Sequence, residues 1–389
     1  MSNLRISAIA PGTVQSEIRA MSVLCDAAGG INMAQGICDT EVPDIVLQGA
    51  QEAMAAGHNI YTRLDGIARL RNAIAADWSR RSGLPIEADR NVLVTSGATG
   101  AFYCAGLALL DAGDEVILFE PMYGYHVYTL RNMGVQPVIV PLQYGTWSLD
   151  PDALRAAITP KTRCIVLNTP SNPSGKVFTR EELQQVADIA IEHDLFVFSD
   201  EIYEHFVYSG HQHISIATLP GMAARTITLS GFSKTYSVTG WRVGYLIADA
   251  KWIPTIGYFS DTVFICAPAP FQHGCAAGLE QLPQSFYDDL AADHDRKRVQ
   301  AADALRDAGL TPHLPDGAYY ILADASPLNG ETAAAKARDL LARTGVAAVA
   351  GSAFFRPGHG ENLLRFCFGK RDADLDEACD RLRSLAKVK

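Results

Sequence analysis

Through its middle the chain repeats one pattern, a short run of β-branched and apolar residues followed by a stretch with helical spacing. The runs fall at 91–95, 115–119, 136–140, 163–168, 195–199, 226–229 and 242–248. Helical spacing separates them at 98–110, 124–133, 151–158 and 180–193. Strands that alternate with helices pair in parallel, because each helix returns the chain to the starting edge. The runs are apolar almost throughout, which requires both faces of the sheet to be covered. Together these constraints predict an α/β fold whose large domain holds a mainly parallel, seven-stranded sheet covered by helices. Ligands of such sheets gather where loops leave the carboxyl ends of the strands.

After Leu290 the pattern changes. A long charged helix over 291–308 precedes strands near 318–323, 346–349 and 363–367, with helices near 331–343 and 373–386. A smaller α+β domain is the expectation. The predicted division is a large domain over 41–290 and a small one made of 1–40 and 291–389.

Charge removes some classes of function. With 43 acidic against 33 basic side chains, the net charge is −10, which disfavours broad electrostatic binding to nucleic acid or to an anionic membrane. Residues 1–11 lack an apolar core behind a basic start, so no signal peptide is expected, and no apolar stretch is long enough to span a bilayer. The 8 cysteines are scattered without a C-x-x-C pair and read as reduced thiols. A soluble, cytoplasmic protein is expected.

Three segments concentrate useful side chains. Ser230-Gly231-Phe232-Ser233-Lys234-Thr235-Tyr236 and Thr239-Gly240-Trp241-Arg242-Val243-Gly244 lie between two apolar runs, so Lys234 falls on a loop at a sheet edge. Small residues before a lysine let a flat ligand or phosphate approach the backbone, and the Arg242 fork suits a phosphate or carboxylate. The spacing is not that of a Walker loop, and an arbitrary lysine–arginine pair is usually just surface. Asn168-Thr169-Pro170-Ser171-Asn172-Pro173-Ser174-Gly175 describes a rigid turn, which either only redirects the chain or also fixes the Asn172 amide. Asp200, in Ser199-Asp200-Glu201-Ile202-Tyr203, either caps the next turn or is a buried carboxylate with a cationic partner.

In this order and combination, the segments resemble the class I/II aminotransferases, fold-type-I enzymes that use pyridoxal 5′-phosphate. The resemblance runs from about Ile31 to Gly369 and includes Asn32-Met33-Ala34-Gln35-Gly36 and the Tyr61…Gly66…Leu70-Arg71 segment. It implies that Lys234 is the Schiff-base lysine and later moves the substrate proton. Asp200 would pair with the pyridine nitrogen and keep the ring an electron sink. Tyr203 and Asn172 would hydrogen-bond the phenolic oxygen, and Tyr123 would stack on the ring. The phosphate would lie at the helix start marked by Gly97, Ala98 and Thr99, where free N–H groups and the helix dipole favour an anion. Ser233 and Arg242 would add side-chain contacts. One departure is Gly231, where many relatives carry a phosphate-binding serine; Ser230 is the nearest substitute. Tyr61 would reach the phosphate of a neighbouring subunit, which implies a homodimer with shared active sites. Arg365 would clamp the substrate α-carboxylate beside the backbone of Gly36.

Substrate class follows from the same resemblance. Dicarboxylate-specific members often present a second arginine from the partner chain, yet no Arg or Lys occurs from Trp252 through Asp295. The apolar and aromatic segment 258–266 instead resembles the kynurenine/glutamine and aromatic aminotransferases. Phe264 would face the substrate across the dimer and favour a neutral, aromatic or sulfur-containing amino acid, exchanged against a 2-oxo acid. Arg19 and Arg63 are the remaining candidates for a distal cation. His211-Gln212-His213 has no carboxylate or cysteine at ligand spacing, so no metal is expected. The alternatives are a lyase or cyclase using the same cofactor, or a binding module that retains the fold. A complete Lys/Asp/Tyr/Asn/Arg set serves no purpose in the latter.

Overall fold

The computed structural model describes residues 4–7, 17–208 and 210–387. In chain order the strands are β1 (Ile31–Asn32), β2 (Val92–Thr95), β3 (Glu115–Glu120), β4 (Gln136–Pro141), β5 (Thr162–Asn168), β6 (Phe196–Asp200), β7 (Thr226–Gly231), β8 (Gly244–Ile247), β9 (Thr311–His313), β10 (Tyr320–Asp324), β11 (Val346–Ala347), β12 (Val349–Ala350) and β13 (Leu363–Cys367). A seven-stranded sheet has the order β2-β8-β7-β6-β5-β3-β4. Strand β8 runs antiparallel to both neighbours, and every other adjacent pair is parallel. Each run predicted for this sheet is a strand.

Neighbouring residues of one strand enter opposite cores, which is why the runs are apolar without a break. Ile165 and Leu167 of β5 pack with Leu183, Val186 and Ala190 from the helix Arg180–Glu192. Cys164 and Val166 pack instead with Ala101, Phe102 and Ala105 from the helix Gly97–Leu109.

The reversal of β8 decides where the chemistry sits. Gly231 pairs with Gly244 across β7 and β8, so the segment 232–243 leaves and re-enters the sheet at one edge. The parallel strands β3, β5 and β6 end at that same edge. Space there is tight. A Cβ on Gly244 would lie 2.5 Å from the Ala98 nitrogen, and one on Gly231 would lie 2.9 Å from the Gly244 Cα. Both glycines are required by this close approach, and it presses the helix start at Gly97 against the 232–243 loop.

Beyond this sheet, β12-β13-β10-β9 form a four-stranded antiparallel sheet, and β1 pairs with β11 in parallel. The run expected at 346–349 therefore divides between two sheets. The long charged helix begins earlier than expected, at Gln284–Asp307. One core joins Met21, Cys25 and Met33 to Leu340, Phe366 and Leu375, and also takes in Tyr203 and Phe206. Of the 1–40 segment assigned to the small domain, residues 1–3 and 8–16 lie outside the described residues. Among the described residues no helix is long and apolar enough to cross a membrane. All eight cysteines are free, and Cys266 alone among them is not buried.

Candidate active site

The carboxyl ends of the strands open on a cavity of about 290 Å³. Gly36, Ala98, Thr99, Tyr123, Asn172, Asp200, Tyr203, Ser233, Lys234, Arg242 and Arg365 line it together. Of the remaining predicted residues, Gly97 lies behind Arg242, Tyr61 is 76% exposed, and the Phe264 ring packs on Gly100. Neither Tyr61 nor Phe264 lines the cavity of its own chain.

Lys234 projects from the β7–β8 loop, and its Nζ donates to the Gly36 carbonyl at 2.9 Å. Burial pulls this amine down to about 8; Arg365 and Arg242 act in the same direction, and the Cys367 and Cys38 thiols oppose them. A lysine at that value has a usable neutral fraction near pH 7, as a nucleophile or base requires.

Asp200 closes β6. Its Oδ2 lies 3.0 Å from His126 Nε2, and its Oδ1 accepts from the Ile202 N–H at 3.3 Å. The His126 ring is held by stacking on Phe102, centroids 4.6 Å apart. Tyr203 Oη is 2.8 Å from Tyr320 Oη, and burial together with Tyr320 drives its pKa well above the ordinary value. It is therefore a protonated hydroxyl, able to donate.

Arg365 is 1% exposed. One Nη donates to Asn172 Oδ1 at 2.8 Å and the other to the Ala34 carbonyl, while Nε has no partner among the described residues. The guanidinium lies between the Tyr320 and Phe354 rings, 4.4 and 4.7 Å from their centroids. Neutral acceptors and rings leave its charge uncompensated, and a buried cation in that state demands an anion.

At the other end of the cavity the helix Gly97–Leu109 begins. Its N-cap residue, Ser96, makes no capping hydrogen bond, so first-turn N–H groups remain available for an anion. Gly97 has φ +74°, and a Cβ there would lie 2.5 Å from Arg242 Nη2, so the guanidinium rests directly on the helix start. Ser233 lines the cavity, but Ser230 turns away and donates to Glu204 Oε1 at 2.9 Å. Ser230 is no substitute for a serine at 231. An amine in the wall, a carboxylate deep in the cleft and an anion-receptive helix start fit the aldehyde, ring nitrogen and phosphate of pyridoxal phosphate.

Two residues were not singled out in the sequence, His126 and Tyr320. Tyr123 and His126 are three apart at the start of the helix Gly124–Asn132, a spacing that could have linked them. Nothing local marks Tyr320. His213 does have carboxylate partners, contrary to its spacing: Nε2 is 2.9 Å from Glu201 Oε2, and Glu204 completes the cluster. Glu204 also pairs with Arg81 at 2.8 Å, a cation where a metal would have to compete.

The chain matches the family model for aminotransferase class I and II over residues 28–382. It is 37% identical over 378 residues to a probable N-succinyldiaminopimelate aminotransferase, DapC, of Mycobacterium tuberculosis, covering 94% of this chain and 95% of that one. A solved structure of that organism's N-succinyldiaminopimelate aminotransferase superposes with a TM-score of 0.94 at 37% identity, covering 98% of this chain and 100% of the other. The rat kynurenine–oxoglutarate transaminase 3 is 35% identical over 385 residues, covering 91% of this chain and 84% of the relative. YbdL of Escherichia coli, whose structure is described with a methionine aminotransferase function, gives a TM-score of 0.93 at 32% identity over 98% of this chain and 100% of that one. The chain belongs to the class I and II aminotransferase family, and it is a pyridoxal-phosphate-dependent transaminase of the fold-type-I architecture whose substrates are an amino acid and a 2-oxo acid.

Proposed function

We propose that this transaminase prefers neutral, aromatic and sulfur-containing L-amino acids. The support is the small number of cations at the cavity. Among the described lining residues the Lys and Arg side chains are Lys234, Arg242 and Arg365, and in this reading each serves a group of the cofactor or the α-carboxylate. Ile18, Ile37, Phe102 and Tyr125 supply apolar and aromatic wall. A second substrate carboxylate placed there would be buried without a partner. Arg19 and Arg63 are exposed and off the cavity, and Arg63 is paired with Asp65 at 2.8 Å. The relatives' stated substrates, N-succinyldiaminopimelate, kynurenine and methionine, differ too widely to choose among them.

The roles follow from position. When bound, pyridoxal phosphate supplies an electron-withdrawing ring that stabilises the charge left at the substrate α-carbon. Arg365, steadied by Asn172, grips the α-carboxylate beside the Gly36 backbone and turns the Cα–H bond toward Lys234. Neutral Lys234 takes that proton on Nζ and returns it elsewhere. Asp200, braced by His126, would keep a proton on the ring nitrogen. Tyr203 and Asn172 would bind the phenolic oxygen, Tyr123 would cover the ring, and Gly97, Ala98, Thr99, Ser233 and Arg242 would hold the phosphate.

Ile60, Tyr61, Leu64, Tyr258, Val263 and Ile265 are exposed large apolar side chains near Tyr61 and Phe264 in sequence, which supports a homodimer in which Tyr61 and Phe264 enter the neighbour's cleft. The proposed division remains 41–290 against 1–40 and 291–389, in a cytoplasmic enzyme.

The test is a panel of amino acids mixed singly with the cofactor-loaded enzyme. Phenylalanine, methionine, glutamine and kynurenine should bleach the visible absorbance of the cofactor, which a 2-oxo acid should restore. Aspartate faster than all four would overturn the substrate class. Release of ammonia without an acceptor would favour the lyase.

A further inference from the structure

We propose that Tyr320 is a positioning residue that couples the two halves of the site, its hydroxyl donating to Tyr203 and its ring carrying the Arg365 guanidinium. It is the first residue of β10, is 1% exposed and lines the cavity. Its Oη is 2.8 Å from Tyr203 Oη, and its ring lies 4.4 Å from the Arg365 guanidinium. Glycine at 36 preserves this arrangement, because a Cβ there would lie 2.0 Å from Tyr320 Oη.

Counting protons fixes the direction. A phenol has one O–H proton. The inference rests on the reading that Tyr203 donates its proton to the phenolic oxygen of the cofactor. Tyr203 then has only lone pairs to offer Tyr320, so Tyr320 donates. The Tyr319 hydroxyl, which also neighbours Tyr320, donates to the Gly36 carbonyl at 3.4 Å, so it needs no proton from Tyr320. Hydrogen bonds in series polarise one another, so a donor behind Tyr203 strengthens Tyr203 as a donor. That favours the ionised phenolic oxygen and lowers the pH at which the cofactor–lysine linkage loses its proton. The titratable groups facing the two phenols are Tyr123, Asp200, Tyr319, Arg365 and Cys367, with Lys234 above the Tyr203 ring. A Tyr320→Phe exchange leaves all of them in place. The ring half of the role is separate: it supports Arg365 from the side opposite Phe354.

The experiment is a pH titration of the visible absorbance of the cofactor-loaded enzyme without substrate. It compares the parent, Tyr320→Phe, Tyr203→Phe and the double variant. Tyr320→Phe should raise the midpoint by about 0.5–1 pH unit, and Tyr203→Phe should raise it further. The double variant should match Tyr203→Phe alone, because the first donor acts only through the second. An unchanged midpoint in Tyr320→Phe, or additive shifts in the double variant, overturns the relay. If Tyr203→Phe leaves the midpoint where it was, the assignment of Tyr203 itself falls. For the ring, compared at a pH above the midpoints of both variants, Tyr320→Leu should raise KM for every amino acid alike by about 3–30-fold relative to Tyr320→Phe. Equal KM values in Tyr320→Leu and Tyr320→Phe sink the ring half.

Discussion

Two carboxylate–histidine pairs leave adjacent residues of the chain in different directions. Asp200 meets His126 at 3.0 Å in the cleft, and Glu201 meets His213 at 2.9 Å away from it. Both carboxylates are buried, so burial does not distinguish them. Their remaining capacity does. Glu201 Oε1 already accepts from the Ser199 and Ser215 hydroxyls at 2.7 and 2.8 Å. Its neighbour Glu204 is equally committed. Burial pushes Glu204 up, but the charge of Arg81, with His205, His213 and the Ser230 hydroxyl, outweighs this and brings it down to about 2. Among the described residues Asp200 has only His126 and one long backbone contact, and it lines an open cavity. A buried carboxylate marks a site when it has acceptor capacity unspent.

That distinction can be broken most severely at Asp200. Asp200→Ala should lower kcat by about 10³ or more in single-turnover rates while the melting temperature barely moves, since the charge it stabilises develops only during reaction. Near-normal kcat would put Asp200 in the same class as Glu201. Next in size, Glu201→Ala should cost about 2–3 kcal/mol in denaturant unfolding, because the Ser199 and Ser215 hydroxyls lose a buried acceptor. Its kcat should stay within about threefold of the parent, because Glu201 does not line the cavity and its partners lie outside the reacting groups.

Lys234 extends the same logic to pH. Without cofactor its amine titrates near 8 because of burial, so the rate of cofactor capture should rise with pH and level off above about 8. The folded value lies below the unfolded one, so between about 8 and 10.5 the unfolded chain binds more protons and stability of the cofactor-free protein should rise with pH. Lys234→Met should flatten that rise. The smallest effect is expected at Arg63, whose charge is spent on Asp65. Arg63→Ala should change stability by at most about 1 kcal/mol and leave the preference for aspartate against phenylalanine unaltered. A large loss with aspartate alone would identify Arg63 as a distal cation.

The large sheet was legible because its strands are buried on both faces, so a continuous apolar run carries the signal. The helix Ala269–Gln281 was not. It buries Ala269, Gly274, Cys275, Ala276 and Gly278, small residues whose glycines weaken local helical preference and whose value lies in close packing. Within the site, Lys234, Asp200, Asn172 and Arg365 could be read because each stands in a distinctive local segment. Tyr320 could not, since its partner Tyr203 is distant in sequence and only the fold unites them, and His126 offered no more than its spacing from Tyr123. The orientation of Ser230 was within reach. It precedes Gly231 inside β7, and strand parity sends it toward Glu204.

The reversal of β8 also fixes the length of the chain around the reactive lysine. Both ends of the 232–243 loop are anchored in adjacent strands at Gly231 and Gly244, and Gly244 is wedged against the backbone of residues 97 and 98. Lys234 and Arg242 therefore sit on a closed staple with no slack. An inserted residue between them cannot be absorbed by sliding a strand, because one step of slippage exchanges the two faces of β8. It must alter the angle between the Lys234 amine and the Arg242 guanidinium, the group proposed to hold the phosphate. At Tyr144–Gly145, in the exposed turn that follows β4, the same insertion has room to bulge into solvent. Loop length at the lysine is thus set by the two strands that hold its ends, at Gly231 and Gly244.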